Sequence, residues 1–199
     1  MSYAIIGFGK IGQALAQAFA RNNIEVAVAS RRPAEALAPQ AQAIGPKVIA
    51  KSLGDALKAE TIFLAVTFEQ HGDVAKALPH WGGKTVIDAM NSQSPLEAMD
   101  GLLSSAFAAK AFTGARFVKG FNHLPAAKLA ADPAVAGGHR VVFLSSDDAD
   151  AIAPVADLAR QLGFAPVSLG KLQEGGALVH ARGPVWGPLI FQDLFKAAP

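Results

Sequence analysis

Ser2-Tyr3-Ala4-Ile5-Ile6-Gly7-Phe8-Gly9-Lys10-Ile11-Gly12 is the stretch from which the rest of the chain is read. A short apolar run meets a G-x-G-x-x-G pattern, and Ile11, Ala14, Leu15, Ala18 and Phe19 then recur at helical spacing. A strand that turns on glycines into a helix is the context in which this pattern binds a dinucleotide. Gly7 permits the tight turn, Gly9 lets the backbone approach a diphosphate, and Gly12 allows close packing of helix on sheet. The phosphates would then face the free amides and positive end of the first helix, so Gly7, Phe8, Gly9, Lys10, Ile11 and Gly12 are candidate cofactor-binding residues.

Outward from this stretch, short β-branched runs alternate with alanine-rich amphipathic segments, the pattern of βα units and a parallel sheet. Strands are expected near residues 2–6, 24–30, 47–50, 61–66, 85–88, 116–119, 140–144 and 165–169. Helices are expected near 10–21, 33–43, 52–59, 72–78, 102–111, 125–131 and 149–162. The expected fold is α/β, a Rossmann-type doubly wound, mostly parallel sheet. Residues 1–169 would form the nucleotide-binding unit, and the glycine- and proline-rich residues 170–199 a small C-terminal lobe or cover of the same compact unit. Asp147, Asp148 and Asp150 precede the last predicted helix and read as an N-cap with first-turn acids rather than a cation site, because the calcium-loop spacing and its glycine are missing.

The end of the second strand decides which nucleotide is favoured. An NAD site places an acid there to accept from the ribose hydroxyls, whereas this chain has Ser30-Arg31-Arg32. One hydroxyl and two guanidiniums suit a 2′-phosphate, so NADP(H) is the expected cofactor. Three further strand exits should converge on the same cleft. Ala65-Val66-Thr67 would pass under the ribose and nicotinamide, Asn91 would meet a hydroxyl or carboxamide, and Phe121-Asn122-His123 would place an amide and an aromatic near the hydride-bearing carbon.

Composition removes several chemistries. With no cysteine there is no thiolate zinc site, no disulfide framework and no cysteine nucleophile. The single tyrosine, Tyr3, lies in the first strand, so a Tyr-x-x-x-Lys catalytic pair is impossible. The five histidines show no metal-ligand spacing. A net charge of +2 is too slight for a general nucleic-acid binder, and no stretch of 18 uncharged apolar residues supports a membrane span. Met1 to Gly12 lacks a basic signal-peptide region, so a cytoplasmic protein is the expectation. At 199 residues the chain suffices for one core but leaves no room for a large substrate domain.

What remains is hydride transfer to an acceptor that needs little acid catalysis, such as a flat conjugated ring stacked on the nicotinamide. No catalytic side chain is then required. Phe121, Asn122, His123, Leu124 and Trp186 are the candidate substrate residues, with Phe121, Leu124, Trp186 and Phe191 forming an apolar slot and His123 a candidate proton donor. A non-catalytic NADP(H)-binding redox sensor or partner subunit is the alternative.

The sequence resembles the NADPH-dependent coenzyme F420 reductase family, also called F420-dependent NADP oxidoreductases, whose relatives include the nucleotide domain of the STEAP metalloreductases. The likeness lies in Ile5–Gly12, Ser30-Arg31-Arg32, Leu64-Ala65-Val66, Val86–Asn91 and Val118–Ala126, and it extends through Val141–Asp148 and Leu162–Val167. The resemblance implies a doubly wound sheet, a homodimer, and a deazaflavin F420 or flavin stacked on the nicotinamide. It also implies that Ser30, Arg31 and Arg32 bind the 2′-phosphate and that the Phe121–Ala126 turn borders the hydride-transfer site.

Overall fold

The computed structural model describes residues 1–180 and the backbone of 194–195. The first half of the chain lays down β1 (Tyr3–Ile6), α1 (Lys10–Arg21), β2 (Val26–Ala29), α2 (Ala34–Ile44), β3 (Val48–Ala50), α3 (Leu53–Ala56), β4 (Thr61–Leu64), α4 (His71–Ala75) and β5 (Thr85–Asp88). It continues through α5 (Ser104–Ala109), β6 (Arg116–Gly120), α6 (Ala126–Ala130), β7 (Ala134–Val135), β8 (Gly138–Ser145), α7 (Ile152–Gln161), β9 (Ala165–Ser168), α8 (Gly175–Leu178) and β10 (Leu194–Phe195).

Six parallel strands stand in the order β3-β2-β1-β4-β5-β6. This is the doubly wound 3-2-1-4-5-6 arrangement, whose switch point falls between β1 and β4. Beyond β6 the direction reverses: β8 joins antiparallel to β6, β9 runs parallel to β8, and β7 and β10 pair antiparallel with β8.

Successive side chains of a strand point to opposite faces, and both faces of this sheet are covered, as parallel strands require. Ile5, Phe63, Ile87 and Val118 pack with Leu15 and Phe19 of α1 and Leu158 of α7 on one face. On the other face Ile6, Ile62, Leu64, Val86 and Phe117 pack with Trp81, Ala108 and Phe112. A line of rings crosses the first core: Phe19 to Phe63 at 5.7 Å, Phe63 to Phe121 at 5.4 Å and Phe121 to Phe164 at 6.0 Å between centroids. Edge-to-face pairs of this kind contribute about 0.5–1.5 kcal/mol each beyond area burial.

Every predicted strand and helix has a counterpart, most of them shorter at the ends. The helix expected from residue 72 starts instead with a 3-10 turn at Phe68–Gln70 that runs into α4. β7, β8's pairing with β10, and the 3-10 turn Leu96–Met99 carry no periodic signal and were not expected. The Asp148 side chain accepts from the Asp150 N–H at 3.0 Å, capping the 3-10 turn that leads into α7. Asp147 instead accepts from the Leu172 N–H at 3.0 Å, tying down the segment after β9. Of the expected C-terminal lobe, residues 170–180 pack on the body: Leu172 is buried, and Gly175 sits so close to Leu169 that a Cβ would overlap its carbonyl oxygen.

Candidate functional site

At the carboxyl ends of β1 and β4 a cavity of about 500 Å³ opens. One wall is the Gly7-Phe8-Gly9 turn, a second is Ser30-Arg31-Arg32 after β2, and a third is Ala65-Val66-Thr67 after β4. Three segments separated by more than twenty residues each thus meet where ligands of such sheets bind.

The glycines act differently. Gly7 holds φ at +102°, its N–H donates to the Ala29 carbonyl at 2.8 Å, and a Cβ there would overlap the Ala65 carbonyl. A Cβ on Gly12 would overlap the Gly7 carbonyl oxygen and press on Ile5. Both positions are therefore closed by backbone. Gly9 is the reverse: its φ of −82° suits any residue, and nothing lies within 4 Å of where a Cβ would stand. Its neighbourhood is open on the cavity side, where an approaching diphosphate needs space.

α1 begins at Lys10, and its first backbone bond runs from the Gln13 N–H to the Gly9 carbonyl at 2.9 Å. The amides of Lys10, Ile11 and Gly12 precede that bond and, with no acid in the first turn, leave the positive end of the helix uncompensated. Lys10 is exposed, and Ile11 is half-buried against the core; neither lines the cavity. Arg21 in the last turn donates to the Ala130 carbonyl at 2.8 Å and joins α1 to α6.

At the second wall the Ser30 hydroxyl accepts from the Arg32 N–H at 3.0 Å, which folds the chain back and turns both arginines toward one place. The Arg32 guanidinium donates to Gln40 at 3.3 Å, and the Arg31 side chain is exposed. No carboxylate stands at this end of β2. The residues present fit a phosphorylated dinucleotide: an open approach at Gly9, a helix end without an acid, and two guanidiniums.

Gln70, Asp73 and Val74 form the fourth wall, with Leu53 beside them. Sequence reading missed these residues. The signal is their i, i+3, i+4 spacing, which puts them on one helical face directly after the β4 exit.

The other two strand exits take a different place. Asn91 and Asn122 bond one another: the Asn91 amide donates to the Asn122 carbonyl at 2.8 Å, and the Asn122 amide donates to Asn91 Oδ1 at 3.0 Å. The Asn122 amide also donates to the Val179 carbonyl at 2.9 Å, which fastens the C-terminal segment across both exits. Asn122 Oδ1 is buried and has no hydrogen-bond partner among the described residues. Neither asparagine lines the 500 Å³ cavity.

Phe121 and Leu124 correct the sequence expectation. Phe121 adopts φ +62°, which turns its ring inward between Phe63 and Phe164, fully buried, and Leu124 is buried in the same core. Among the described residues their side chains face the core and support the turn from below. His123 is buried with its ring 4.8 Å from that of Phe143. Trp186 and Phe191 lie outside the described residues.

Beneath these exits is a buried polar cluster that sequence reading did not single out. Asp88, the last residue of β5, accepts the Met90 N–H at 2.9 Å and the Ser105 hydroxyl at 2.5 Å. Lys119 of β6 donates to Ser105 at 2.9 Å and lies 3.9 Å from Asp88. Burial pulls the Lys119 ammonium below the ordinary lysine value, while the Asp88 carboxylate opposes the shift. Half-buried His180 is likewise held below its usual value, first by desolvation and then by the Lys119 charge. Among the described residues no group of three or more histidine, aspartate or glutamate side chains forms a metal site, and no helix is long and apolar enough to cross a membrane.

The fold and this cavity define an α/β protein of the doubly wound, dinucleotide-binding type. Residues 2–92 match the model of a family described as NADP oxidoreductase, coenzyme F420-dependent. Among curated proteins it is 28% identical to metalloreductase STEAP3 of Rattus norvegicus over 84% of this chain, and 30% identical to metalloreductase STEAP2 of Mus musculus over 86%. The chain spans only about a third of the length of these relatives, 33% and 34%. Among solved structures a hypothetical protein of Sinorhizobium meliloti is 40% identical with a TM-score of 0.87, covering 93% of this chain and 92% of that one. A putative F420-dependent NADP reductase from Arthrobacter is 26% identical with a TM-score of 0.74, covering 100% of both chains. A reductive aminase from Aspergillus terreus shares the fold at 20% identity, TM-score 0.66, over 96% of this chain and 60% of that one.

Proposed function

We propose that this protein binds NADP(H) in the cavity between β1, β2 and β4 and passes hydride between it and a flat redox acceptor, a deazaflavin of the F420 type or a flavin. The observation that carries the reading is the meeting of the Gly7–Gly9 turn with Ser30, Arg31 and Arg32 in one cavity. The α1 amides and the open face of Gly9 hold the diphosphate, the hydroxyl and guanidiniums hold the 2′-phosphate, and Ala65, Val66 and Thr67 support the ribose and nicotinamide. Bound NADPH supplies the hydride. The chain's own contribution is alignment, since no tyrosine or cysteine chemistry is present and His123 is packed against Phe143. The family resemblance adds a homodimer to this reading.

The test is to mix the protein with NADPH and a panel of F420, flavins and quinones and to follow the nicotinamide absorbance. Oxidation with a deazaflavin or flavin supports the proposal. Tight NADPH binding without oxidation by any acceptor replaces it with the sensor reading, and no NADPH binding removes both. Light scattering at the mass of a single chain would remove the homodimer.

A further inference from the structure

Asp73 is the one carboxylate among the described residues lining the cavity, and it faces the same space as Arg31 and Arg32. Its present partner is weak: Lys76 stands 3.9 Å away, and both side chains are largely exposed. A carboxylate repels phosphate and accepts hydrogen bonds, so toward the NADP(H) proposed above Asp73 is suited to a hydrogen donor of the ligand.

A phosphorylated dinucleotide carries few such donors. The nicotinamide carboxamide lies at the far end of the molecule from the phosphorylated ribose. The 2′ position of that ribose is esterified and its free 3′-hydroxyl stands beside that phosphate at the Ser30–Arg32 turn, while the hydroxyls of the nicotinamide ribose lie beyond the diphosphate. What remains is the exocyclic amine of the base. Leu53, Val66 and Val74, lining the cavity together with Asp73, offer apolar walls for a planar ring. Gln70, one helical turn before Asp73 and Val74, adds an amide at the same rim.

We infer that Asp73 reads the base of the cofactor, its carboxylate accepting the 6-amino group of adenine between walls formed by Leu53, Val66 and Val74. A 6-oxo purine presents an acceptor at that point. It loses the hydrogen bond and sets two oxygens against each other, so the site discriminates amino from oxo purines. This rests on the NADP(H) reading above and adds to it the group that selects the nucleobase.

The experiment is a calorimetric titration of the whole protein with NADPH and with its hypoxanthine analogue, repeated for Asp73→Ala and Asp73→Asn. Asp73 is exposed and outside the core, so both variants keep the fold. The wild type should bind the hypoxanthine analogue roughly tenfold more weakly, the lower range of a charge-assisted hydrogen bond. Asp73→Ala should weaken NADPH by a similar factor and, with the opposing oxygen gone, bind the analogue at least as well as the wild type does, closing the gap. Asp73→Asn, whose amide accepts from one base and donates to the other, should bind both alike. Equal binding of the two nucleotides by the wild type overturns the inference while leaving the NADP(H) reading intact, as does an equal loss for both nucleotides in Asp73→Ala. Failure of the wild type to bind either nucleotide would instead overturn the NADP(H) reading on which the inference rests.

Discussion

Lys119 Nζ and Asp88 Oδ2 lie 3.9 Å apart in the buried interior, and the Ser105 hydroxyl bridges them. The two residues occupy partner positions on adjacent parallel strands, so the sheet register itself brings the charges together. The pair stands directly under the exits that carry Asn91 and Asn122.

Removing one partner leaves the other charge buried alone. Lys119→Met should therefore destabilise the protein by about 3–5 kcal/mol, whereas the double replacement Lys119→Met with Asp88→Leu should recover much of that loss. Urea unfolding of the three proteins measures it. A single variant as stable as the wild type would mean that the pair does not brace the sheet.

The glycines of the turn separate stability from binding. Gly12→Ala forces a methyl group onto the Gly7 carbonyl and should cost about 1–3 kcal/mol or prevent folding. Gly9→Ala meets nothing and has an ordinary φ, so its thermal midpoint should match the wild type while NADPH affinity falls. Thermal melts beside NADPH titrations test the contrast; an equally stable Gly12→Ala would refute the steric argument.

Arg31 and Arg32 should set nucleotide choice. Alanine at both positions is expected to weaken NADPH by about 1.5–3 kcal/mol and to spare NADH, because only the 2′-phosphate is lost as a partner. Parallel titrations check this, and an equal loss for both nucleotides would place the phosphate elsewhere.

Phe121 is a packing residue. Phe121→Ala should cost about 3–5 kcal/mol in denaturant unfolding by opening a cavity between Phe63 and Phe164. The folded variant should retain its acceptor preference. A change of preferred acceptor without a stability loss would return the ring to the substrate site.

His180 supplies a pH dependence of known sign. Its folded-state value is depressed below the ordinary 6.5, so the unfolded chain binds the proton more readily. The stability it contributes is fully present above pH 6.5 and is lost as pH falls through the folded-state value. Stability curves across mildly acidic pH should therefore drop in the wild type and flatten in His180→Gln; identical slopes would show that His180 does not titrate against Lys119.

The order of strands and helices, the glycine turn and the absence of an acid after β2 were all legible in the chain, because each is a local matter of periodicity, backbone conformation or side-chain chemistry. The Asp148 cap was legible for the same reason. Burial of Phe121 was not, since a left-handed φ at one residue turned an aromatic expected in the cleft into the core. Nor was the bond from Asn122 to Val179, which spans 57 positions, or the arrival of Asp73 beside the arginines. Such meetings depend on where whole elements cross in the packed sheet. The sequence by itself determined a nucleotide fold with a phosphate-favouring end; the tertiary structure alone decided which polar groups share its cavity and which support it from beneath.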